Sequence, residues 1–265
     1  LLQVEEDEAH ELALALSALS LAECDGVRTE LHPLLHEYAR ARLHNTPAHE
    51  QQLIVRHVAY FGQVIGGAYQ RAVNEARGNA MDAALVLIDR ERDNVELAQL
   101  RALADVFPDP HLAVALTVGL TAVWRLRDDT RLFDWLTRAL SLATAAGAKL
   151  GQANVLQAIG DVQSFRDDKE AALASYDQAL RLFTEVGAKL GQANVYLAQG
   201  QLQNDVSLLD RALGLYEKIG DRYSGARCKV FLGVLCLQNG DRERGVRLLV
   251  EARETCEQIN FIQGV

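Results

Sequence analysis

Apolar residues recur three and four positions apart along most of this chain, a spacing that predicts amphipathic helices. The pattern is least interrupted after residue 110, because the only prolines are Pro33, Pro47, Pro108 and Pro110. In this stretch the nine residues 147–155 are repeated identically at 187–195, 40 positions later. A copy at such a fixed interval is typical of stacked helix pairs. The sequence therefore predicts an all-α solenoid of the tetratricopeptide type.

Small and large residues repeat in a fixed order that sets the register of these pairs. From Gly160, small or aromatic residues follow at 12, 16 and 19 positions, and the same offsets hold from Gly233. The two sets are Ala172, Tyr176 and Ala179, and Gly245, Leu249 and Ala252. Small residues let two antiparallel helices cross closely, and the larger side chain fills the space beside them. We expect both glycines to lie at such crossings.

One repeat is shorter than the others. From Gly200 the matching alanine is Ala212, only 12 residues later instead of 19. The missing residues amount to about two helical turns, so losing one turn from each helix keeps the apolar faces in phase. We therefore expect a shortened helix pair here, with its loop near Asn204 and Asp205. The four predicted helix pairs are 109–146, 149–186, 189–219 and 222–259.

The first hundred residues follow a different plan. A helical pattern at 5–19 precedes two strand-like segments, separated by the turn sequence Asp25-Gly26. A helix at 33–43 follows, with proline in its first turn. This order is typical of the rear half of a winged-helix unit. The predicted domains are a winged-helix remnant at 1–45, a helical connector at 46–107 and the repeats at 108–265.

Charge and composition exclude several partners. The net charge is −9, and residues 1–50 hold ten acidic and three basic residues. Phosphate backbones require a basic surface, so we expect no nucleic-acid binding, and a winged-helix DNA-binding regulator is only a weak alternative. No apolar run reaches transmembrane length, and the four cysteines have no paired spacing. We therefore expect no membrane partner and a cytoplasmic location.

Catalytic motifs are absent from the sequence. It contains neither a Gly-x-x-x-x-Gly-Lys-Ser/Thr phosphate loop nor a nucleophile elbow, so we expect no enzyme activity and no bound cofactor. His32 and His36 are spaced as a helical metal-binding pair would be. No third ligand accompanies them at a fixed spacing, so we expect no metal site and a structural role for His36.

Three motifs occur in an order that resembles bacterial NB-ARC proteins, which belong to the STAND class of signalling NTPases. They are Leu31-His-Pro-Leu-Leu-His-Glu-Tyr-Ala-Arg40, Glu91-Arg-Asp-Asn94, and Trp124-Arg-Leu-Arg127 with Trp135-Leu-Thr-Arg-Ala-Leu140. The resemblance implies that the chain is the C-terminal part of such a protein, and that the solenoid is its sensor arm. The implied partners are a protein or peptide trigger and the NTPase domain of the same parent chain.

The resemblance also assigns a role to His32. In the family a winged-helix histidine contacts the β-phosphate of ADP, and Leu31-His32-Pro33 stands at the matching place, with proline where the family has Asp. ADP or ATP is thus implied for the parent protein, and His32 would contact it only with the NTPase domain attached. The opening Leu1 and an incomplete repeat at 260–264 are what a fragment would show.

The inner helix of each pair is expected to form the binding surface, because an array offers an extended face and not a reactive cleft. The expected lining is Asn154, Gln157, Asp161, Asn194, Leu197, Gln201, Asn204 and Arg227. These mixed amides suit a polar protein segment. A solvated face without a partner is the alternative for each residue, and a free-standing interaction scaffold is the alternative function. Trp124 and Trp135 are expected in the core.

Overall fold

The computed structural model describes residues 6–24, 29–75, 86–126 and 130–263. Its N-terminal part is a helix, a β-hairpin and a second helix: α1 (Glu6–Ala18), β1 (Ala22–Cys24), β2 (Thr29–Leu31) and α2 (Pro33–His44). The strands are antiparallel, and Ala22 pairs with Leu31. The order predicted from the sequence is confirmed here, although the turn Asp25-Gly26 lies outside the described residues.

Between this part and the solenoid, the described residues include α3 (Pro47–Glu75), a helical segment at 86–90 and α4 (Arg92–Ala102). The Thr46 hydroxyl donates to the carbonyls of Arg42 and Leu43 at the end of α2, so it closes that helix. Both α3 and α4 pack against the first solenoid helix, and the core they share runs from Val58 to Trp135 without a break at residue 107. The division at residues 45 and 107 stays a prediction.

Four helix pairs build the rest of the chain. They are α5 (Pro110–Leu126) with α6 (Leu132–Ala145), α7 (Lys149–Phe165) with α8 (Lys169–Glu185), α9 (Lys189–Gln203) with α10 (Val206–Ile219), and α11 (Arg222–Gln238) with α12 (Arg242–Gln263). Helices α7 and α8 have 17 residues each, whereas α9 has 15 and α10 has 14. The all-α solenoid predicted from the sequence is confirmed, and the short loop lies at Asn204 and Asp205 as expected.

Glycines stand where paired helices touch. A Cβ added to Gly160 would lie 2.6 Å from Cε1 of Tyr176, and one added to Gly233 would lie 3.0 Å from Cγ of Leu249. These are the contacts that the offset of 16 residues predicts. In the short pair the contact of Gly200 is with Leu209, 2.8 Å from the added Cβ. The offset of the contact thus falls from 16 to 9 residues, which matches the seven missing residues, and the crossing is preserved.

Candidate functional site

The inner helices α5, α7 and α9 line an open groove of about 290 Å³. Helix α7 packs against both of the others, so equivalent faces of three successive pairs meet there. Four of the eight residues predicted for the binding surface line this groove: Asn154, Gln157, Asp161 and Asn194. The remaining lining comes from Val118, Thr121, Arg125 and Ala158.

Two buried tyrosines orient the polar groups of the groove. The Tyr176 hydroxyl donates to Oδ1 of Asp161 at 2.8 Å, and the Tyr216 hydroxyl donates to Oδ1 of Asn194 at 2.7 Å. Both rings are fully buried between the helices of their pairs. The bond to Oδ1 leaves the Nδ2 amino group of Asn194 to donate to a ligand. The core of the solenoid thus fixes the direction of the side chains that line the groove.

Arg125 and Asp161 carry the charges of the groove. Burial raises the pKa of Asp161, while the hydrogen bond from Tyr176 and the positive charge of Arg125 lower it. The Arg125 guanidinium carbon lies 5.4 Å from the ring centre of Phe165. Its Nε is buried and has no hydrogen-bond partner within the described parts of the chain. Such a donor is costly unless a ligand supplies an acceptor.

Arg125 was missed by the sequence prediction, although a signal for it exists. The sequence Arg127-Asp-Asp129 aligns with Arg166-Asp-Asp168, 39 residues later. This alignment places Arg125 opposite Ser164, on the same helix face as Asp161 and one turn away. Extending the repeat register to the first pair would therefore have found it.

The other predicted residues lie elsewhere. Leu197 is only 6% exposed and packs in the core with Leu209, so the expectation that it lines an open surface is wrong. Asn204 ends α9 in the left-handed conformation, with φ 53°, at the tip of the short pair. Gln201 is half-buried on α9, and Arg227 is exposed on α11. Neither of these two residues lines the groove between α5 and α9.

An apolar stripe on α11 was also missed. Val230, Val234 and Leu237 are 42%, 43% and 38% exposed. In the repeat register they occupy the positions that Gln157, Asp161 and Ser164 hold in α7. The inner surface thus changes from polar in the second pair to apolar in the fourth.

His32 lies at the start of α2, away from the solenoid. Its side chain is exposed, and its Nδ1 accepts a hydrogen bond from the Leu34 amide at 3.3 Å. A neutral imidazole that accepts at Nδ1 carries its proton on Nε2. The Nε2–H is therefore a donor on the opposite edge of the ring. The side chain of His36 lies outside the described part of the structure.

The tryptophans belong to the packing of the first pair. Trp135 is 2% exposed, so its predicted core position is confirmed, and the guanidinium carbon of Arg131 lies 5.0 Å from its ring centre. The side chain of Trp124 lies outside the described residues. Among the helices that are described, none is long and apolar enough to cross a membrane.

Comparisons with known proteins agree with the helical-repeat architecture. A family model described as "SNAP: Soluble NSF attachment protein, SNAP" matches residues 121–229, less than half of the chain. No protein with curated annotation matches. The crystal structure of BtubC (BKLC) from P. vanneervenii is similar with a TM-score of 0.55 at 18% identity, covering 78% of this chain and 92% of that one. A likeness at this identity supports the fold alone, and the chain is a helical-repeat protein in which residues 121–229 are similar to the SNAP family model.

Proposed function

We propose that the chain is a protein-interaction scaffold whose inner surface holds an extended segment of a partner. The observation that supports this most directly is the groove between α5 and α9, where polar side chains of three helix pairs converge. Asn154 and Gln157 form no hydrogen bond with any residue in the described ranges. Side-chain amides both donate and accept, so they can pair with the main chain of an extended peptide.

The experiment for this proposal is a peptide selection followed by a block of the groove. Random 14-residue peptides displayed on phage are selected against the whole chain, and the enriched peptides are measured by fluorescence anisotropy. Gln157→Trp fills the groove, and Gln178→Trp places the same side chain on the exposed surface of α8. We expect the first variant to abolish binding and the second to leave it unchanged. Equal binding to both variants would contradict the proposal.

The finer proposal is that this scaffold is the sensor arm of a STAND-class NTPase. Binding of a trigger would favour the open state of the NTPase, which requires different trigger affinities for the two states. Two features support it: the Nε2–H of His32 can donate to a phosphate oxygen, and Leu34 and Tyr38 on α2 are 75% and 56% exposed. An apolar surface of this kind suits a docked domain.

Sequencing the coding region upstream of this chain tests the finer proposal. A phosphate loop with its lysine within a few hundred residues supports the sensor arm, and its absence leaves the free-standing scaffold. If the loop is present, His32→Ala in the full-length protein should weaken ADP binding in a calorimetric titration. Unchanged ADP affinity would contradict the role of His32.

A further inference from the structure

The inner surface differs in chemistry between its two ends, and this difference bears on the partner. Helix α5 contributes Arg125, whose buried Nε has no hydrogen-bond partner in the described structure. Helix α11 contributes Arg227 and the apolar stripe of Val230, Val234 and Leu237. Neither arginine forms an ion pair with a described residue. The chain as a whole has a net charge of −9.

We propose that the partner segment is acidic and apolar: a carboxylate side chain binds Arg125, and apolar side chains bind the stripe on α11. This inference rests on the proposed function and names the chemistry of the segment held by the same surface. The carboxylate matches the donors at that end, because the buried Arg125 Nε lacks an acceptor and the Nδ2 of Asn194 remains able to donate. The apolar side chains cover three exposed residues at positions i, i+4 and i+7 of one helix.

Asp161 does not exclude a carboxylate from this end of the groove. Its Oδ1 already accepts a hydrogen bond from Tyr176 at 2.8 Å, and Asp161 forms no ion pair with Arg125 in the described structure. Arg125 is therefore only partly neutralised by its neighbour. A basic partner would place its cation beside the unsatisfied Arg125 donor and leave that donor without an acceptor.

The distance between the two ends sets the spacing within the segment. Helices in direct contact lie about 8–10 Å apart, so three such steps from α5 to α11 would span roughly 24–30 Å. An extended chain covers about 3.3 Å per residue, so the acidic and apolar side chains should lie about seven to nine residues apart. A helical segment would need about 16–20 residues to cover the same distance, because a helix rises only 1.5 Å per residue.

The test uses the peptides enriched by phage display of random 14-residue sequences on the whole chain. We expect Asp or Glu in these peptides about seven to nine positions from Leu, Ile, Val or Phe. The most enriched peptide is synthesised with fluorescein, together with a version in which Gln or Asn replaces each acidic residue. Arg125→Gln should weaken binding of the acidic peptide about ten-fold and leave binding of the neutral peptide unchanged. Val234→Asn should weaken binding of both.

Three outcomes separate the two proposals. If Arg125→Gln weakens binding of the acidic peptide about ten-fold but does not weaken binding of the neutral peptide, the inference is supported. Enriched peptides that are blocked by Gln157→Trp but lack acidic residues, or carry basic ones, overturn the inference and leave the scaffold proposal standing. Enriched peptides that bind Gln157→Trp as well as the natural protein overturn both proposals. Circular dichroism of each variant shows whether a loss of binding comes from unfolding, and Arg125→Lys retains the charge if Arg125→Gln does not fold.

Discussion

Replacing Gly160 by leucine tests the helix crossing at the centre of the solenoid. An added Cβ would lie 2.6 Å from Cε1 and 2.7 Å from Cδ1 of Tyr176, whereas carbon atoms in contact are about 3.5–4.0 Å apart. The tyrosine ring cannot move aside freely, because it is 2% exposed and its hydroxyl is bound to Asp161. The two helices must therefore separate or the hydrogen bond must break.

The size of the effect follows from three contributions. Overpacking in a dense core costs about 1–3 kcal/mol. Loss of the Tyr176–Asp161 hydrogen bond would add about 0.5–1.5 kcal/mol. Removing a glycine from a helix interior offsets about 0.5–1 kcal/mol of this. We expect a net loss of about 1–3 kcal/mol, and each kcal/mol lowers the melting temperature of a chain of this size by about 2–4 °C.

Thermal and urea unfolding followed by circular dichroism measure this loss. Gly214→Leu is the matched control, because Gly214 is also inside a helix but an added Cβ there meets no atom within 4 Å. The control should be at least as stable as the natural protein. If Gly160→Leu and Gly214→Leu melt at the same temperature as the natural protein, the packing argument for the repeat register is refuted.

Four further substitutions have outcomes that the structure specifies. Asp161→Asn should raise the urea midpoint at pH 7, because burial raises the pKa of this carboxyl and the native state disfavours its charged form. The gain in stability should vanish at pH values below the ordinary carboxyl pKa. A gain that does not depend on pH would contradict this reasoning. Burial and the nearby Arg101 lower the pKa of His57 to about 4, so stability should fall as the pH drops from 6.5 towards 4; His57→Phe should remove that part of the slope in acid titrations followed by fluorescence. Asp205→Ala should cost about 1 kcal/mol in urea unfolding, because the carboxylate caps α10 through the Ser207 and Leu208 amides. Asn204→Gly, one residue earlier, should cost nothing, since glycine adopts a positive φ freely.

The register of the solenoid could be read from the sequence because each crossing depends on one small residue and one large one. The offset from Gly160 to Tyr176 is set by the geometry of a single helix pair, so it is visible in the chain. The shortened pair could be predicted for the same reason. Removing whole turns preserves the apolar face, and the deletion appears as a changed offset between Gly200 and Ala212.

The lining of the inner groove was predicted less well, because the exposure of a side chain depends on how neighbouring pairs stack. Leu197 holds the position of Gln157, yet it is buried because the shorter pair packs closely onto the next one through Leu209 and Cys228. Arg125 was missed because the first pair carries no copy of the duplicated nine residues. The apolar stripe at Val230 and Val234 requires the register to be extended to the fourth pair, where the side chains change character.

The short loop between α9 and α10 has a consequence for the rim of the solenoid. Gly160 lies six residues before the turn at Arg166, whereas Gly200 lies four residues before the turn at Asn204. At 1.5 Å per residue, the inner helix of the third pair therefore extends roughly 3 Å less far beyond its glycine than the inner helix of the second pair. The edge of the solenoid is thus recessed at the third pair, between the longer second and fourth pairs. A partner segment that leaves the inner surface sideways meets the least obstruction there.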